Sequence, residues 1–215
     1  MNENKGEKLS VTELGNPGNP HGTAGKEMLR GMNEHHYEVT GWALDFLELL
    51  PASRVLDIGC GGGETLRRMA EYIKGGHLTG VDHSPLSVEM SIAQNQESID
   101  DGKMDIICAS VSELPFEDNS FDRIITVESF YFWRDPENDL REVLRVLDKG
   151  GIFLITADIY GDAELSGEDR ENIAKYGLFN PTIDEFRNLL ENAGFSYVKI
   201  HTKENTSWIC AEGRK

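Results

Sequence analysis

The 215-residue sequence predicts a doubly wound α/β fold, with a mostly parallel sheet of seven strands and helices on both faces. Three observations carry this reading. Short apolar runs alternate with stretches of helical periodicity beyond about residue 50. The first of these runs passes straight into a glycine-rich turn and a helix, Val55-Leu56-Asp57-Ile58-Gly59-Cys60-Gly61-Gly62-Gly63-Glu64. The last two, 195–201 and 207–211, have no helix between them, which predicts an antiparallel hairpin at the sheet edge.

Residues 1–34 stand apart from the rest. Asn16-Pro17-Gly18-Asn19-Pro20-His21-Gly22 is a turn-forming cluster with little to bury, and Met28, Leu29 and Met32 supply one short amphipathic turn. The segment is either a loose tail or a helical lid over a site formed elsewhere. From 35 to 50 the pattern is helical: Val39, Trp42, Ala43, Phe46, Leu49 and Leu50 recur at three- and four-residue steps, and Pro51 marks the stop. Residues 54–58 form the first strand, and Leu66, Met69, Ala70 and Ile73 share a helix face. Residues 77–81 are the second strand, after which Ser84-Pro85 offers a cap and a first-turn proline.

Residues 105–109 and 121–127 are the third and fourth strands. Asp135-Pro136 opens a helix bearing Leu140, Val143, Leu144 and Leu147, which Lys149-Gly150-Gly151 is expected to end before a fifth strand at 152–157. An acidic connector after Tyr160 leads to Thr182-x-x-Glu185, a capping box ahead of Phe186, Leu189, Leu190 and Ala193, with Gly194 closing that helix. The chain therefore divides into a tail or lid, 1–34, and one domain, 35–215.

Lys plus Arg number 21 against 38 Asp plus Glu, a formal net charge of −17. Such a surface repels phosphate backbones and anionic lipid, so neither nucleic acid nor a membrane is the expected partner. No apolar stretch approaches the roughly 20 residues of a membrane span, and the N-terminus lacks the apolar core of a secretory signal. Cys60, Cys108 and Cys210 are widely spaced, which argues against a disulfide framework or a cysteine zinc site and for the cytoplasm. A monomer or homodimer is expected.

Glycines let a backbone turn tightly and approach a ligand, and ligands of open α/β sheets sit beyond the carboxyl ends of the strands, where this loop lies. Asp82 ends the second strand roughly twenty residues after the loop, where a carboxylate accepts both hydroxyls of a ribose. That leaves a nicotinamide dinucleotide or S-adenosylmethionine. Asp57, just ahead of the glycines, would repel a pyrophosphate and suits the cationic aminoacyl sulfonium end of S-adenosylmethionine. The loop also lacks the G-x-G-x-x-G spacing that continues to a third, helix-packing glycine.

Four segments in order, VLDIGCGGGETL, GVDHSP, ASVSELPFEDNSFDRIITVESFYFW and LREVLRVLDKGGIFLI, resemble the class I S-adenosylmethionine-dependent methyltransferases. The likeness is to the small-molecule branch that includes the ubiquinone/menaquinone-biosynthesis type, and it covers roughly 35–215. It implies a Rossmann-like fold in which Asp57, Gly59 and Gly61, with Cys60 between them, hold the methionine part of the cofactor. It further implies that Asp82 bridges the ribose hydroxyls, that His83 lies where adenine packs, and that Ser110 and Val111 face the adenine edge. An Asp is usual in this family where Ser110 stands. Leu114-Pro115-Phe116, Ser120-Phe121-Asp122 and the Arg145–Gly151 region match as well, in mainly structural roles.

Glu128, Ser129, Phe130, Tyr131, Phe132 and Trp133 follow the fourth strand at the same edge, beside the transferring methyl in related enzymes. The aromatics either stack on an acceptor or pack beneath the next helix. Glu128 is a candidate to contact the cofactor, to orient the acceptor or to take its proton, with Tyr131 and His35 as further catalytic candidates. His35 and His36, adjacent on a helix, should point about 100° apart and cannot both face one site, though one of them could enter it as a base or acceptor ligand; a metal site needs further ligands that the sequence does not place, so no metal centre is expected. Cys60 reads as a small filler, a reactive thiol being the alternative. The implied reaction is in-line transfer of a methyl group from S-adenosylmethionine to a small-molecule acceptor. A non-catalytic module binding S-adenosylmethionine or S-adenosylhomocysteine, or a partner subunit, is the alternative, and a nicotinamide-dependent oxidoreductase is a third reading.

Overall fold

The computed structural model describes residues 9–215; the first eight residues of the expected tail or lid lie outside the described residues. In chain order the elements are α1 (Val11–Gly15), α2 (Gly22–His35), α3 (Tyr37–Leu44), β1 (Arg54–Ile58), α4 (Glu64–Met69), β2 (His77–Asp82), α5 (Pro85–Gln94), α6 (Gln96–Asp100) and β3 (Met104–Cys108). They continue with β4 (Phe121–Val127), a 3-10 turn at Phe130–Phe132, α7 (Pro136–Val146), β5 (Leu147–Ala157), α8 (Gly167–Tyr176), α9 (Ile183–Ala193), β6 (Tyr197–Thr202) and β7 (Ile209–Arg214).

The seven strands lie in the order β3-β2-β1-β4-β5-β7-β6. Strands β1 to β5 pair in parallel, and β7 runs antiparallel between β5 and β6. From β1 the chain winds outward to β3, then crosses back to β4 on the other side of β1. The carboxyl ends of β1 and β4 therefore flank the point where the winding reverses, the place where open α/β sheets form a crevice.

Successive strand residues face opposite sides of the sheet, and here both sides are buried. Leu56, Ile124 and Phe153 pack with Leu140, Phe186 and Leu190 of α7 and α9. Their neighbours Val55, Ile125 and Leu154 pack with Ala43, Leu47, Leu66 and Met69 on the other face. Burial on both sides is why these strands read as continuous apolar runs and not as alternating ones.

The structure departs from the sequence expectation at three places. The helix expected over 35–50 is interrupted at His36 and ends at Leu44. Leu147 does not belong to α7; it is the first residue of β5, fully buried and paired with Phe121, so Lys149-Gly150-Gly151 lies inside the strand next to a register shift against β4. Core packing of Leu147 overrides the local turn signal. Helix α8 forms within the acidic connector, started by a reciprocal Ser166–Asp169 capping box and stopped by Gly177 at φ +61. None of its residues is buried, so it has no apolar stripe to betray it.

The Thr182 box that opens α9 is present in full. Thr182 Oγ1 accepts from the Glu185 N–H at 3.2 Å, while the Thr182 N–H donates to Glu185 Oε2 at 2.8 Å. Phe186 and Leu190 of this helix bury against α7, so the cap fixes a large part of one core layer. Replacing Thr182→Ala is expected to cost about 1 kcal/mol and to lower Tm by roughly 2–4 °C, measured by differential scanning calorimetry.

Candidate functional site

A cavity of about 780 Å³ opens over the carboxyl ends of the strands from β1 to β4. That is ample for a drug-sized ligand and a second, smaller molecule. Its floor is the β1–α4 turn. Gly59 sits at φ +73, and a Cβ there would overlap the Ser129 hydroxyl; a Cβ on Gly63, at φ +82, would come within 2.5 Å of Ser91 Oγ. The N–H groups of Gly59 and Cys60 both donate to the Val81 carbonyl, at 2.8 and 3.0 Å, and the Gly61 N–H donates to Asp82 Oδ2 at 3.0 Å. The turn has thus committed these donors internally. It is no cradle for a pyrophosphate.

Asp82 holds more than the loop. Its Oδ1 accepts from the Ser84 N–H at 2.8 Å, at the start of α5. Each oxygen keeps a second lone pair for a ligand, and the side chain lines the cavity. The sequence offered Asp82 as a ribose ligand or as a cap on the next turn; its hold on the glycine loop was not legible there.

Asp57, Glu128 and Asp139 are all buried and all line this cavity, and each has one carboxylate oxygen without a hydrogen-bond partner among the described residues. Burial, and then the nearby Asp82, push Asp57 up to about 8. Burial and the neighbouring Asp158 raise Glu128 well above the usual carboxylate range, and burial raises Asp139. Glu128 also adopts φ +53, a conformation rare outside glycine and a mark of backbone held for a purpose. The Tyr131 hydroxyl donates to Glu128 Oε2. A cavity with unsatisfied carboxylate oxygens fits a ligand bearing positive charge and hydroxyls, as S-adenosylmethionine does.

The other expected residues divide. His83, Ser110 and Val111 line the cavity, with Ser110 Oγ accepting from the Ser112 N–H at 3.2 Å. Cys60 contributes backbone only: its buried sulfur lies 3.8 Å from Ser91 Oγ, and burial pushes its thiol well above the ordinary value, so it is a filler and not a nucleophile. The aromatic run splits, as a 3-10 turn requires. Phe130 is in the core with Phe186, Phe132 and Trp133 line the cavity, and Tyr131 reaches it only through Glu128.

His35 needs correction. Its side chain is 73% exposed and lies outside the cavity wall, whereas His36, at 18%, lines it with Nε2 3.9 Å from Glu128 Oε2. The expectation that the two imidazoles cannot both face one site holds for the cavity, which His36 lines and His35 does not, although at His36 the backbone leaves helical geometry, with ψ +4, and the ring centroids lie 5.2 Å apart. Burial pushes His36 down to about 4, against the raising effect of Asp158. Asp158 and Asp139 escaped the sequence reading; for Asp158 the available signal was its place just after β5, on the ligand edge of the sheet.

The described part of the N-terminal segment forms one wall of this cavity. Asn16 to Pro20 and, from α2, Leu29, Met32 and Asn33 line it, and Ser84 Oγ donates to the Pro20 carbonyl at 2.8 Å. Ion pairs Lys26–Glu89 and Lys175–Glu13, at 2.7 and 2.6 Å, fasten α2 to α5 and α1 to α8.

A family model described as a methyltransferase domain matches residues 56–155. An O-methyltransferase of Aspergillus nomiae is 29% identical over 170 residues, covering 77% of this chain and 74% of that protein. An O-methyltransferase of Penicillium expansum is 31% identical over 171 residues, covering 76% and 60%. Among solved structures, a chain from the complex between the Haloferax volcanii Trm112 methyltransferase activator and a methyltransferase shares the fold with a TM-score of 0.75 at 22% identity, covering 88% of this chain and 94% of that one.

A carboxyl held up to about 8 stabilises the fold while it keeps its proton. That contribution is complete below about pH 4, where the unfolded chain is protonated too, and is lost as pH rises through about 8. Asp57→Asn, which removes the buried acid, is therefore expected to raise the Tm of the protein without ligand by at least about 2 °C at pH 8 and by less at pH 5. A gain that does not grow with pH would mean that Asp57 is not a strained acid.

Proposed function

The chain belongs to the class I S-adenosylmethionine-dependent methyltransferases, and on that premise we propose that it methylates a small molecule at an ionisable hydroxyl. The observation that carries the reading is the set of unpartnered carboxylate oxygens around one cavity, with Glu128 held by Tyr131 where the acceptor would lie. When bound, S-adenosylmethionine supplies a methyl carbon already activated for displacement by its sulfonium. The protein's own part is to bind, to align and to keep water out.

Asp57 would face the cationic methionine end, Asp82 the ribose hydroxyls, and His83, Ser110 and Val111 the adenine. These assignments rest on the family likeness together with the lining of the cavity. Glu128 takes the acceptor's proton at Oε1, the oxygen that has no partner, while the Tyr131 hydroxyl keeps Oε2 fixed. Burial leaves this carboxyl protonated in the protein without ligand, and once a cationic cofactor nearby favours its ionised form, its raised proton affinity makes it a stronger base. An amine or thiolate acceptor would need no such group. Phe132, Trp133 and the turn from Asn16 to Pro20 exclude water, which makes the described part of the N-terminal segment a lid.

The setting is also inferred. A formal charge of −17 disfavours nucleic acid, Cys60 and Cys210 are free and buried, and no described helix is long and apolar enough to cross a membrane. These features support a dissolved acceptor in the cytoplasm.

Asp82→Ala is expected to weaken S-adenosylhomocysteine binding more than about tenfold by isothermal titration, from the loss of charge-assisted hydrogen bonds worth about 1.5–3 kcal/mol and of the loop clamp. An unchanged Kd would remove the ribose assignment. With labelled S-adenosylmethionine and a panel of phenols, alcohols, amines and thiols, label should pass to hydroxyl acceptors. Glu128→Gln should then lower kcat by about 100-fold or more with cofactor affinity retained. Transfer to amines alone, or full activity in Glu128→Gln, would overturn the hydroxyl reading.

A further inference from the structure

Beside the cavity, where α2 gives way to α3, three side chains from two elements meet. One donor atom each from His35, His36 and Asp158 all lie within 4.8 Å of one another. His35 Nε2 stands 3.5 Å from Asp158 Oδ2, and His36 Nε2 stands 3.9 Å from Glu128 Oε2. Donors bound to a common transition ion at about 2.0–2.2 Å sit roughly 3–3.5 Å from each other, so the first pair is already at ligand spacing. The other separations close by a small swing of side chains, and His35, largely exposed, is free to make one. The Glu128 carboxyl adds an independent sign: it is 3% exposed and its Oε1 has no partner.

We propose that His35, His36 and Asp158 bind a divalent first-row transition-metal ion at the edge of the cavity, beside the part of its wall that His36 and Glu128 form. Two imidazoles and a carboxylate suit zinc, iron(II) or cobalt(II); magnesium prefers an all-oxygen shell and keeps its waters. Three protein ligands leave a coordination position open, as in sites that bind a substrate oxygen. Resting on the proposed methyl transfer, that position belongs to the acceptor hydroxyl, whose acidity the ion raises next to the Glu128 carboxylate. An ion pair His35–Asp158 with an unrelated His36 is the competing account.

The test uses the untagged 215-residue chain, stripped with chelator and titrated with cobalt(II) chloride. A visible d–d band that saturates at one equivalent is expected. His35→Gln and Asp158→Asn should each weaken cobalt affinity by about tenfold or more. S-adenosylhomocysteine titrations on the same samples show that each variant is folded, and His35 is exposed enough that its replacement leaves the fold intact. A cobalt titration that never saturates, or a band unchanged in both variants, overturns the metal site. If S-adenosylhomocysteine still binds in that case, only this inference falls; if it does not bind the wild-type chain either, the proposed methyl transfer falls with it.

Discussion

Three carboxylates that share one cavity, Asp57, Glu128 and Asp139, each keep an oxygen without a protein partner among the described residues. Removing such a group from water costs several kcal/mol when nothing compensates its charge. The fold meets this cost by letting the groups hold their protons, which is why burial is the leading cause of every upward displacement among them. Stability and function therefore pull against each other at this edge. A cationic guest reverses the balance, because it returns to the ionised acid the partner that water once provided. Tight binding then depends as much on the discomfort of the protein as on contacts with the ligand.

Asp82 shows how the same edge is kept in register. Its two oxygens accept from Gly61 and Ser84, and the Ser84 hydroxyl reaches the Pro20 carbonyl. Asp82 and Ser84 together thus join the glycine turn, the start of α5 and the turn from Asn16 to Pro20 that lines the cavity.

The sequence made the sheet and the floor of the site legible, and the walls much less so. The central strands were readable because burial on both faces gives each an apolar run, and the β1–α4 turn because its backbone demands glycine at Gly59 and Gly63. Asp57 and Asp82 followed from their places next to that turn. Helix α8 stayed hidden because it buries nothing, and the start of β5 because Leu147 continues the apolar period of α7. One of the two adjacent histidines lines the cavity, as their neighbouring helix positions imply, but which one was not legible, because the backbone departs from helical geometry at His36. Asp158 is distant in sequence from its partners, and only the sheet brings it to them.

The position of β7 has a consequence for how the molecule is made. This strand, Ile209–Arg214, lies between β5 and β6, so the sheet cannot complete that side until residue 214 has left the ribosome. Until then β5 offers a bare row of backbone donors and acceptors flanked by Ile152, Leu154 and Ile155, an inviting template for another nascent chain. A chaperone that shields the half-built edge would guard against tangling in a way that no change within the finished cavity could.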